Sequence, residues 1–136
     1  MKSIKLLSIL LLIIMNSCKT TEPGRAFTIG KGGGFTGKYD VYLVKSNGDV
    51  FKVVKDQPTS ELVIKIDKKQ IAEIFKQFDQ LNIKEINFSH PGNMTSFIRY
   101  SADGKIYEIK WGSNNEVPPR IYIDFFDKVW NLIRIK

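Results

Sequence analysis

The chain has one thiol, Cys18, and one imidazole, His90. These are the side chains that most readily act as nucleophile and general base near neutral pH. His90 stands in His90-Pro91-Gly92-Asn93, which reads as a solvated turn, so a Ser–His–Asp arrangement would rest on one loop residue. The 14 acidic residues are enough in number for a pair of catalytic carboxylates, but no two are singled out, and most stand beside lysines as on a solvated surface. A metal centre would draw nearly every ligand from carboxylates, and the chain has neither an H-E-x-x-H motif nor a D-x-D-x-D-G loop. Gly32, Gly34 and Gly37 fit G-x-G-x-x-G, and Gly32 with Gly37-Lys38 fits most of G-x-x-x-x-G-K. Such loops hold phosphate only when a helix N-terminus follows. Here residues 39–45 alternate like a strand, and Tyr39 fills the position where Ser or Thr would meet Mg²⁺. The expectation is a protein that is not an enzyme and carries no cofactor or metal.

Cys18 has a different use. Met1, Lys2 and Lys5 form a basic start, residues 6–15 are apolar apart from Ser8, and Asn16-Ser17-Cys18 leads into polar sequence. That is the layout of a secretory signal, yet no A-x-A-like site is present, since the first alanine is Ala26. Met15-Asn16-Ser17-Cys18 resembles a lipobox, in the relaxed form common in Bacteroidota lipoproteins. The resemblance implies cleavage before Cys18 and acylation of its thiol, with residues 1–17 as signal peptide and 18–25 as lipidated cysteine and tether. It places the protein in the bacterial cell envelope, held to a membrane through acyl chains on Cys18, and at the outer membrane rather than the inner. A lipidated Cys18 is lost to catalysis, and with one cysteine there is no internal disulfide. Nucleic acid is not an expected partner outside the cytoplasm, despite the formal charge of +7. Fully extended, residues 19–25 would span about 25 Å at ~3.5 Å each.

Residues 26–136 suffice for one α+β domain. Residues 27–29 read as a short strand and residues 30–37 as a glycine-rich loop. Residues 39–45 and 50–54 form a hairpin through Asn47-Gly48, where both positions tolerate positive φ. Residues 62–66 suggest another short strand. Asp67 is a candidate N-cap with Gln70 three residues on, ahead of an apolar stripe of Ile71, Ile74, Phe75, Phe78 and Leu81. Residues 83–88 are ambiguous. Residues 96–101 and 105–111 form a second hairpin through Asp103-Gly104. Pro118-Pro119 opens a second helix, with Tyr122, Phe125, Phe126, Val129, Leu132 and Ile133 on its apolar face and Trp130 at the edge. The expected architecture is an antiparallel sheet of two hairpins with two amphipathic helices on one face, in β-β-α-β-β-α order.

Two places on this frame are candidates for contact with a partner. The glycine run is either a bulged strand connection or a recognition loop, and in the second case Phe35, between Gly34 and Thr36, does the recognising. In the later hairpin, Phe97, Arg99, Ile106, Glu108 and Lys110 share the face away from the helices by alternation, either as ordinary sheet surface or as a partner site. Trp111 ends its strand before an exposed-looking loop, Gly112-Ser113-Asn114-Asn115, and joins the candidates. Gly32-Gly33-Gly34-Phe35-Thr36-Gly37, the hairpin from Phe97-Ile98-Arg99-Tyr100 through Gly104 to Tyr107, and the closing proline-led helix are similar to emfourin-type proteinase inhibitors. That resemblance implies an inhibitor of thermolysin-type metalloproteases; the tethered form and residues 90–93 depart from it. The chain is also similar to many small lipoproteins. The leading expectation is a lipid-anchored, non-enzymatic binding domain with a protein partner. The alternatives are an envelope-presented proteinase inhibitor and an immunity protein against an envelope-acting toxin.

Overall fold

The computed structural model describes residues 24–55, 57, 59–112 and 116–135. Cys18, the signal segment, the tether as far as residue 23, Pro58 and residues 113–115 lie outside them. The strands are β1 (Ala26–Gly33), β2 (Lys38–Lys45), β3 (Asp49–Val53), β4 (Glu61–Lys65), β5 (Phe88–His90), β6 (Met94–Ala102) and β7 (Lys105–Gly112). Helix α1 (Lys68–Gln80) follows β4, α2 (Arg120–Arg134) follows β7, and a 3₁₀ turn, Gly34–Thr36, joins β1 to β2.

This corrects the expected architecture. The class remains α+β, but the sheet is neither two hairpins nor wholly antiparallel. Seven strands form one sheet in the order β4-β3-β2-β1-β6-β7-β5, and the chain order is β-β-β-β-α-β-β-β-α. Every neighbouring pair is antiparallel except β5 with β7, which run parallel. The short β5 comes from the ambiguous segment, and β4 makes the other edge. The strand at the centre is β1, whose first half includes the short strand read at residues 27–29 and whose second half, Gly30 to Gly33, reads in the sequence as a glycine loop. Glycine is a poor strand former when its surroundings are unknown. Here it is required at Gly30 and Gly32, because a Cβ at Gly30 would overlap the Phe97 ring and one at Gly32 the backbone of Lys38 and Tyr39.

The turns form as their residues dictate. Gly48 has φ 96°, and Asp49 N–H donates to Asn47 Oδ1 at 3.0 Å. Asp103 and Gly104 both take positive φ between the paired Ala102 and Lys105. Asp67 caps α1, its carboxylate accepting from the N–H of Lys69 and of Gln70 at 3.0 Å each. Pro119 occupies the cap position of α2, so the proline pair precedes the first turn rather than forming it.

Both helices pack on one face of the sheet. Phe27 of β1 stacks on Phe78 with ring centroids 4.7 Å apart and meets Phe75 and Phe125 at 5.3 and 5.4 Å. Around this cluster Ile29, Val44, Val50, Ile98 and Ile109 from the strands meet Ile74, Phe126 and Val129 from the helices. Tyr122 closes one end, donating from its hydroxyl to the Leu81 carbonyl at 2.7 Å. Burial of this large apolar surface is the main favourable term in folding.

Candidate functional site

A strand sends alternate side chains to opposite faces, so burying Phe27, Tyr42, Val44, Val50, Ile98 and Ile109 under the helices turns their neighbours outward. No described element covers that second face. The pairing register sets its side chains in rows. One row runs Leu62, Phe51, Leu43, Thr28, Arg99, Glu108 from β4 to β7. The next runs Val53, Val41, Gly30, Phe97, Lys110. A third holds Tyr39, Gly32, Thr95 and Gly112. Several apolar members are open to solvent: Tyr39 at 46%, Leu62 at 53%, and Ile106, beyond the first row, at 69%.

Phe97 is the fixed point of this face. Its ring lies over Gly30, 6.3 Å from the Tyr39 ring, and is only 5% exposed although it stands outside the core. Above it the Arg99 guanidinium sits 4.9 Å from the ring centroid, a cation–π distance. Glu108, the cross-strand partner of Arg99, holds it there: Nε donates to Oε2 at 2.6 Å, and Nη2 approaches the same oxygen at 2.5 Å. The second oxygen of Glu108 receives Lys110 at 2.7 Å. Glu108 is largely sheltered from solvent while both cations keep more than a third of their side-chain surface open, so the triad presents fixed positive groups outward.

Tyr39, Val41, Phe97, Arg99 and Lys110, with Lys55 and Pro91 at the rim, enclose a depression of about 460 Å³. Its floor is pinned from below. Thr95, the one buried polar residue among those described, donates from Oγ1 to the Gly92 carbonyl at 3.0 Å and accepts from Gly92 N–H at 3.2 Å, which fixes the turn carrying Pro91. Asp40 hydrogen-bonds Lys52 and holds its ammonium above the ordinary lysine value, Asp79 does the same for the Arg25 guanidinium, and burial pushes the Tyr122 phenol up.

The sequence candidates divide. Phe97 and Arg99 are in contact on the open face, as alternation predicted. Trp111 has the opposite parity: it is buried under the sheet, with its ring edge-on to Phe126 at 5.3 Å. Gly34, Phe35 and Thr36 form the 3₁₀ turn at the end of β1, where Gly34 N–H donates to the Asn93 carbonyl and Phe35 is wholly exposed. A strand, β2, follows this turn, so the helix that a phosphate loop requires is not there. His90 ends β5, its Nε2 3.4 Å from Glu116 Oε2. Among the described residues no three His, Cys, Asp or Glu side chains are grouped to hold a metal ion. Tyr39, Val41, Thr95 and Lys55 escaped the sequence reading. The alternation of Tyr39, Val41 and Leu43 was visible, but only the pairing through β1 brings β2 beside β6. No protein-family model matches the chain, and no curated protein matches it in sequence.

Proposed function

We propose that this chain is a lipid-anchored, non-enzymatic binding domain of the bacterial cell envelope that docks a protein partner on the open face of its sheet. The observation that carries the docking surface is the constellation on that face. Exposed Tyr39 and Ile106, with Leu62 at the far edge of the same face, share it with a positioned Phe97–Arg99–Glu108–Lys110 group, and apolar surface beside oriented charge is what interaction sites present. The anchor rests on the lipobox resemblance at residues 15–18 and on the polar segment after it. Each buried CH₂ of an acyl chain contributes ~0.8 kcal/mol, so several chains on Cys18 hold a protein to a bilayer stably. In fractionated cells, Cys18→Ala is expected to move the chain from membrane to soluble fractions. Leu62→Glu with Ile106→Glu is expected to leave it at the membrane while stripping a co-purifying partner. Retention of Cys18→Ala through a salt wash would exclude the anchor, and retention of the partner by the double variant would exclude the docking face.

A second reading, an envelope-presented proteinase inhibitor, is favoured by Phe35. A wholly exposed aromatic on a turn tied to Asn93 is a suitable ligand for a protease subsite. Titration against thermolysin-type proteases tests it, with inhibition lost in Phe35→Ala as the expected result. No inhibition at micromolar concentrations of the full chain would exclude it.

A further inference from the structure

The depression on the open face has a chemistry that selects its occupant. We infer that it takes an extended acidic segment of the partner polypeptide, with one apolar side chain seated against Tyr39 and Val41, beside the Phe97 ring, and carboxylates on either side. This inference rests on the docking face proposed above and goes further by naming what binds there. The seat is apolar, formed by Tyr39, Val41 and Phe97. Around it stand three cations, Lys55, Arg99 and Lys110, against the single carboxylate of Glu108. Among the described residues the cations exceed the carboxylate by two, so the site is complementary to a ligand with about two negative charges. Glu108 takes up the Nε–Nη2 side of Arg99, leaving the other N–H groups of the guanidinium for a second carboxylate. Because Glu108 already fixes Arg99 over the Phe97 ring, little side-chain freedom is lost on binding.

Size and position favour a polypeptide. The depression runs from β2 across β1 and β6 to β7. Three strand spacings of ~4.8 Å make about 14 Å, the length of roughly four extended residues. Its apolar seat lies in the rows of Gly30 and Gly32, and the chain enters the sheet at the other end of β1, before Ala26. At ~3.3 Å per residue that is about 13–20 Å from the strand's first residue. An anchor leading from Cys18 would therefore join the domain at the other end of β1 from this seat.

The test uses the full chain in uncharged detergent and fluorescence anisotropy of synthetic eight-residue peptides. Each peptide has a central Phe or Leu, flanked by Glu, Ser or Lys. The Glu-flanked peptides are expected to bind about tenfold or more tighter than the Ser-flanked ones and to weaken with added salt. The double reversal Lys55→Glu with Lys110→Glu is expected to lower that affinity at least about tenfold, with an unchanged melting temperature as the check on folding. Lys69→Glu, on α1 and away from this face, is expected to leave it unchanged. Equal binding of all three peptide classes overturns the inference, as does indifference to the double reversal. So does a reversal that instead releases the chain from anionic phospholipid vesicles. If the Glu-flanked peptides fail to bind while Leu62→Glu with Ile106→Glu still strips the partner from membranes, only this inference falls. If the partner also stays bound, the docking face falls with it.

Discussion

Gly30 and Phe97 act as one unit. The ring covers the place where any other residue would carry a Cβ, and this keeps an aromatic side chain almost wholly buried on the face of the sheet that no described element covers. Arg99 and Glu108 are then built on top of that ring. Gly30→Ala is therefore expected to destabilise the fold by about 1–3 kcal/mol, the usual cost of overpacking, read as a lower midpoint of urea unfolding. Much of that loss should return when Phe97 is also shortened, in Gly30→Ala with Phe97→Leu, because the clash is between those two groups. Equal penalties in both backgrounds would mean that the ring does not lie over Gly30. Trp111 gives the complementary lesson at this scale. A tryptophan before a glycine and asparagine loop looks exposed in sequence, but its parity with Ile109 carries it to the core.

Among the elements, the helices and the two tight hairpins were legible in the sequence because their determinants are local. Asp67 caps its own helix, the apolar stripes repeat at helical spacing, and Gly48 in one turn and Asp103-Gly104 in the other supply positive φ within a few residues. The glycine half of β1 and all of β5 were not legible because their determinants are distant. The glycines of β1 are explained by Phe97 and Tyr39, and β5 is a three-residue strand whose parallel partner is β7. The same logic applied to the candidate site: alternation along β6 and β7 grouped Phe97, Arg99, Glu108 and Lys110, while the contribution of β2 required the pairing through β1. The junction between α1 and α2 supplies a prediction at this scale. Tyr122 donates to the Leu81 carbonyl at 2.7 Å, and burial raises its phenol above the ordinary value of 10. A phenol raised in the folded state contributes stability that is complete below the unfolded value and is lost as pH rises through the folded one. Stability should thus fall as pH climbs above about 10. Tyr122→Phe should cost about 1–3 kcal/mol at neutral pH by leaving that carbonyl unpaired and should flatten the alkaline fall. An unchanged alkaline slope in the variant would show that other tyrosines account for it.

For the whole molecule, the sheet separates two jobs. Its helix-covered face holds the fold together without a disulfide, and no described element covers the other. In the proposed anchored form β1 links this division to the membrane, since the proposed tether ends just before its first residue and its last residues lead into the Phe35 turn. A domain so held at one end of its central strand would present both the open face and the exposed turn to the surroundings. The measurement that tests this account most directly is site-specific photocrosslinking of the full chain in intact cells of its native host. A photoreactive residue is placed in turn at Val53, Leu62 and Ile106 on the open face, and at Lys69, Asp124 and Lys128 on the helices. The account predicts a discrete crosslinked protein from the open-face positions and none from the helices. Crosslinks arising from the helices alone would contradict it.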